Sequence, residues 1–136
     1  MMIKKILLIL FLLIPLKSAL SNDNGLPISQ ISEENFADIA TLQGLNKITA
    51  KVSNLQISVG NSQDFGKLTI LVHKCHKAPP EERPENKILI EVFENNAMDK
   101  KQIFYGWMLS STPSISSLEH PIYDITAINC QYHQQQ

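Results

Sequence analysis

The chain has 136 residues, with twelve Lys and Arg against thirteen Asp and Glu, a net charge of −1 and 43% hydrophobic side chains. That length suits one domain with a sizeable core. The balance of charge argues against nucleic acid or anionic lipid as a partner, since both demand clustered cationic residues.

The N-terminus reads as an export signal. Lys4 and Lys5 precede an uncharged apolar run, Ile6 to Leu16, and Ala19-Leu20-Ser21 offers small residues at the −3 and −1 positions of a cleavage site. This is the layout of a cleaved signal peptide over residues 1–21. A span of the hydrocarbon needs about 20 apolar residues, more than the run supplies, so no membrane span is expected after cleavage. Removing Lys4, Lys5 and Lys17 leaves nine basic against thirteen acidic residues, a net charge of −4. The signal delivers Cys75 and Cys130, the two cysteines of the chain, to an oxidising compartment, where paired thiols become a disulfide. Closing the loop of about 56 residues between them is worth about 4 kcal/mol in chain entropy.

Residues 22–43 read as a flexible leader. Within it, Ser32 is placed to cap a short helix over Glu33 to Leu42, with Gly44 at its C′ position. A single β domain over 44–133 follows. Ile48, Ala50 and Val52 alternate, then Leu55, Ile57 and Val59 alternate one step out of phase, which predicts one long strand bulged at Ser53-Asn54. The second strand is Phe65 to His76, with Leu68, Ile70 and Val72 on one face and Leu71 and Cys75 on the other. "KAPPEERPEN" (77–86) reads as an extended, solvated polyproline-type loop. The third strand is Lys87 to Glu94, and the fourth is Gln102 to Leu109 with Ile103, Tyr105 and Trp107 in phase. Between the fourth strand and the fifth, Tyr123 to Gln131, the pattern predicts a helical corner. Thr112 caps it, Pro113 is its first residue, Ile115 and Leu118 face inward, and Pro121 ends it. Residues 134–136 form a frayed tail. The expected fold is all-β, a small five-stranded sandwich or SH3-like barrel with a short helical insertion before the last strand.

Three constellations bear on chemistry. Ser110 or Ser111, His120 and Asp124 contain the residue types of a hydrolytic triad. No Gly-x-Ser-x-Gly elbow surrounds either serine, so a structural corner is expected and no residue is assigned to catalysis. "HKCH" and "CQYH" bring His73, Cys75, His76, Cys130 and His133 together if the cysteines meet; reduced, this is a candidate zinc or copper set, but oxidised it is a disulfide, the expected outcome. No cofactor is expected. Pro79, Pro80, Glu81, Pro84, Trp107, His120 and Tyr123 form the candidate partner surface.

Several stretches carry a family resemblance: "GLNKITA" (44–50), "VG" (59–60), "FGKL" (65–68), Cys75, "PPEERPE" (79–85), "FYGWM" (104–108), "SSTPSISSLEHPIYDI" (110–125) and Cys130. Together they resemble the secreted alphaproteobacterial proteins grouped as domain of unknown function 2155. The chain departs from that pattern at Asn46, where an acid is more usual, and near Thr126, where a bulkier residue is. The resemblance implies export to the periplasm and pairing of Cys75 with Cys130; it implies no activity. The expected function is therefore a non-catalytic, disulfide-stapled periplasmic module that binds an envelope partner. The alternative is a metal-binding or redox protein built on the Cys/His cluster.

Overall fold

A computed structural model of the chain describes residues 35–134. The expected signal peptide, the leader up to residue 34 and the last two residues of the tail lie outside the described residues. Among the described residues, eight strands are arranged in two antiparallel sheets. The first contains β1 (Ile39–Asn46), β2 (Lys51–Ser58), β7 (Leu118–Glu119) and β8 (Tyr123–Gln131), in the order β2-β1-β8-β7. The second contains β3 (Ser62–Phe65), β4 (Leu68–Lys77), β5 (Asn86–Asn95) and β6 (Lys100–Leu109), in sequence order. One core serves both sheets, with Leu42 and Ile125 from the first meeting Ile70, Val72, Ile88 and Ile90 from the second, all fully buried. Each such side chain is worth about 1.5–3 kcal/mol of transfer free energy. Among the described residues, no helix is long and apolar enough to cross a membrane.

The all-β class is as expected; the strand count is eight rather than five. The largest correction falls at the start. Ile39 to Asn46 is strand β1, the neighbour of both β2 and β8, so the expected helix over Glu33 to Leu42 does not extend through Leu42. Gly44 is no helix C-cap. It lies mid-strand, where a Cβ would come within 2.8 Å of the Phe65 ring. The single bulged strand expected over Ile48 to Val59 is instead the end of a hairpin. The Asn46 carboxamide oxygen accepts the N–H groups of Ile48 and Thr49 at 3.0 and 3.2 Å, and Ala50 takes a φ of 54°. Ile48 therefore sits in the turn, 76% exposed. The slip of phase marked a change of element rather than a bulge.

True bulges occur elsewhere. The register of β4 on β5 passes from Val72↔Ile90 to Lys74↔Leu89 and skips His73. That of β8 on β1 passes from Asn129↔Thr41 to Ala127↔Leu42 and skips Ile128. That of β6 on β5 skips Ile103. An extra residue reverses which side chains face the core. Hence Cys75 shares the inward face of Leu68, Ile70 and Val72, not the face of Leu71.

The helical insertion, α1 (Pro113–Ser116), is a single turn that buries none of its residues. Pro113 opens it as expected, but the Thr112 side chain makes no capping bond. Ile115 is 81% exposed, so it does not share an inward face with buried Leu118. The turn ends at Ser116, and β7 intervenes before Pro121.

Candidate functional site

The two bulges set the disulfide. His73 lies two residues before Cys75, and Ile128 two before Cys130, so each strand turns its cysteine inward after its own change of phase. The sulfurs meet as a disulfide between β4 and β8, across the two sheets, with Cα atoms 5.7 Å apart and both residues fully buried. The Cys130 N–H donates to Asn86 Oδ1 at 3.0 Å, tying the bridge to β5. The segment Phe36–Asp38 straps it from outside. The Ala37 N–H donates to Cys75 O at 2.8 Å and the Asp38 N–H to Gln131 O at 3.0 Å, one bond to each disulfide strand.

This geometry separates the metal candidates. The Cys75 and Cys130 sulfurs are committed to each other. His73 Nε2 lies 2.9 Å from Glu91, with its ring edge-on to Tyr105. His76 packs edge-on against Phe36, and the His133 backbone N–H binds Asp38. Among the described residues, no group of three or more His, Cys, Asp or Glu is arranged to hold a metal ion. His76 has a buried Nδ1 without a hydrogen-bond partner, and burial, then the nearby Lys87 charge, lowers its pKa below 6.5 against an opposing pull from Glu82.

The triad residues turn to three different partners. Both serine hydroxyls point to Glu85, Ser110 at 3.1 Å and Ser111 in a short contact. The Asn86 and Ser111 N–H groups also donate to this carboxylate, each at 3.1 Å. Burial alone would raise the Glu85 pKa; these hydrogen bonds outweigh it and hold the group below its ordinary value. His120 instead places Nε2 3.1 Å from Glu94, while its Nδ1 accepts the Ile122 N–H at 3.2 Å. An accepting Nδ1 assigns the proton to Nε2, facing the carboxylate. Asp124 pairs with Lys47 at 2.8 Å, and the same ammonium donates to His120 O at 2.8 Å. The set is a corner that joins sheets rather than an assembled triad.

Tyr123 and His120, two of the candidate partner-surface residues, pack within that corner. Tyr123 is buried, its ring edge-on to Phe65 and stacked with His120 at 5.5 Å. A Cβ on Gly66 would run into the Tyr123 phenol, which is why a glycine with φ +60° stands there. Pro80, Glu81 and Pro84 are exposed and Pro79 half-buried. The loop is tighter than an extended polyproline segment: Glu82 N–H donates to Pro79 O at 3.0 Å and Ala78 N–H to Glu85 O at 2.8 Å. Pro79, Pro80, Pro84 and Tyr132 line a largely apolar cleft of about 320 Å³. Trp107 stands on the outer face of β6 and remains half-exposed, beside Leu89 on β5. Sequence reading missed the Glu85 cluster. Its signal lay in the pairing of β5 with β6, which sets Glu85 beside Ser110 and Ser111 once Lys87 is matched to Leu109.

Comparison with known proteins matches the boundaries of this domain. The family model described as an uncharacterized protein conserved in bacteria (DUF2155) matches residues 40–130, from Ala40 in β1 to the second cysteine. An uncharacterized protein of Rickettsia prowazekii (strain Madrid E) is 39% identical over 87 residues, covering 63% of this chain and 56% of that protein. The chain thus spans little more than half the length of that relative. No solved structure matches.

Proposed function

The chain belongs to the family of uncharacterized proteins conserved in bacteria (DUF2155), and from that premise we propose that it is an exported, periplasmic, non-catalytic module that binds a cell-envelope partner. We read its two sheets on one core as a β-sandwich stapled by the disulfide. The observation that carries the proposal is the Cys75–Cys130 bond, buried in the core between the sheets. Such a bond suits an oxidising compartment, and the charged, apolar and small-residue pattern of residues 1–21 supplies a route to it. The binding role is supported by surfaces in want of a partner: half-exposed Trp107 and the cleft under Pro79, Pro80 and Pro84. Engagement of Ser110, Ser111, His120 and Asp124 with separate partners supports a non-catalytic reading.

Osmotic-shock fractionation with thiol alkylation tests the proposal. The chain should leave with the periplasmic fraction, begin at Asn22 and take up two alkyl groups only after reduction. A cytoplasmic chain that keeps residues 1–21 and carries two free thiols would overturn it. Free thiols with a stoichiometric metal would replace it with the metal-binding reading of His73, Cys75, His76, Cys130 and His133.

A further inference from the structure

Strand β6 is the outer strand of its sheet, and half of its backbone groups are not used by β5. The Ser110 N–H donates to Asn86 O at 2.9 Å, which makes Asn86 and Ser110 a hydrogen-bonded pair. Such pairs alternate along an antiparallel ladder. Met108 and Gly106 therefore bond to Ile88 and Ile90, whereas Leu109, Trp107 and Tyr105, opposite Lys87, Leu89 and Glu91, turn their N–H and C=O groups outward. At Leu109 the fold supplies a substitute partner. The Ser116 hydroxyl accepts the Leu109 N–H at 3.0 Å and lies 3.1 Å from the Leu109 carbonyl oxygen. It accepts there the N–H that a neighbouring strand would take, while its one proton is shared between the Leu109 and Thr112 carbonyl oxygens. Next along the edge, the side chains of Trp107 and Tyr105 are 44% and 59% exposed.

Edge strands are usually blunted by charge, proline or a bulge, because an open edge templates pairing with another chain. The devices on β6 all sit at one end: Lys100, which lies over the Phe93 ring at 4.5 Å, Lys101, and the bulge at Ile103. From Phe104 to Met108 the sequence FYGWM carries no charge and no proline. An open edge thus runs between a basic end and a hydroxyl-capped end.

We infer that this edge of β6 receives an extended, acidic segment of an envelope protein as an added antiparallel strand. The inference rests on the envelope-binding reading above and gives that partner a place and a chemistry. The incoming backbone pairs with the outward groups of Tyr105 and Trp107, and apolar or β-branched side chains lie beside the two rings. Beyond Ile103 the segment carries acids that meet Lys100 and Lys101. A second copy of this chain fits less well. Two β6 strands paired about Gly106 would set Leu109, already occupied by Ser116, against the bulge at Ile103, and β6 has no acid of its own to offer the lysines.

Site-specific photo-crosslinking in intact cells producing the full chain tests this, with the crosslinking residue placed in turn at Tyr105, Pro80 and Met98. Adducts from Tyr105 should map to an extended segment bearing acidic residues. A synthetic peptide of that segment, titrated against the purified chain by the fluorescence of Trp107, should bind. N-methylation of its alternate amides, on the side facing β6, should weaken binding about tenfold or more. The double variant Lys100→Glu, Lys101→Glu should weaken the unmodified peptide to a similar degree. Adducts from Pro80 or Met98 alone, Tyr105 adducts to another copy of the chain, or equal binding of the N-methylated peptide would overturn the strand-addition site and leave the binding-module reading standing. Silence at all three positions, in cells where the same chemistry captures an established envelope complex, would sink both.

Discussion

Gly66 and Gly60 both hold positive φ angles, but only Gly66 also faces an obstacle. Around Gly60 (φ +87°) a Cβ would meet nothing, so Gly60→Ala should cost only the backbone term, about 1–2 kcal/mol. Gly66→Ala adds a collision with the Tyr123 phenol and should cost about 2–4 kcal/mol, with urea unfolding as the measure. Sequence reading placed Gly66 inside a strand from Phe65 to His76; neither the turn between β3 and β4 nor the ring above it was legible, because the turn is set by strand pairing and Tyr123 is 57 residues away in sequence. Titration gives a second prediction. His76 and Glu85 both hold their protons less readily in the folded chain than their ordinary values of 6.5 and 4.5 imply. For each, the unfolded chain takes up the proton first, so stability is lost as pH falls. The His76 contribution is complete above about 6.5 and is lost as pH falls below it. The Glu85 contribution is complete above about 4.5 and is lost as pH falls through its lower folded value. Urea midpoints measured from pH 8 to pH 3 should show both losses, with His76→Gln flattening the upper and Glu85→Gln the lower.

Among the elements, β4, β5, β6 and β8 were legible because each carries three apolar residues in alternation, such as Leu68, Ile70 and Val72 or Ile88, Ile90 and Val92, whereas β1 was not. IATLQGLN has no clean period of two, and its inner surface depends on small Ala40 and Gly44 lying under neighbouring side chains. Acids before an apolar stripe read equally well as a helix start; pairing with β2 and β8 on both sides overrides that local preference. The bulges at His73 and Ile128 were invisible for a related reason. A bulge is a count of one strand against another, and a single strand does not contain its partner's count. Each has a consequence that experiment can reach. Deleting His73 or Ile128 removes the bulge and leaves Cys75 two places after Val72, or Cys130 two places after Ala127, so plain alternation keeps the cysteine on the inward face. Either deletion should leave the disulfide formed, with two alkyl groups taken up only after reduction, as should deletion of Ser114 in α1; thiols open to alkylation without reductant would overturn the register.

For the whole molecule, the disulfide spans 55 positions of sequence and joins the two sheets. Chain entropy assigns it about 4 kcal/mol, a large share of a typical total of about 5–15 kcal/mol. Replacing both cysteines by Ala should therefore lower the urea midpoint by about 2–4 M, taking a slope of about 1–2 kcal/mol per M. The phase of unfolding should remain single, because one core serves both sheets. The sequence by itself determined the β class, the pairing of the two cysteines with each other and the family, since alternation, cysteine count and short motifs are local properties that survive in one dimension. Tertiary structure decided the rest: that β1 is a strand, that two bulges aim the cysteines, that Ser110, Ser111 and His120 turn to different carboxylates, and that β6 presents an open edge. Each of these is a relation between residues distant in the chain, and only packing and register bring such residues to a common distance.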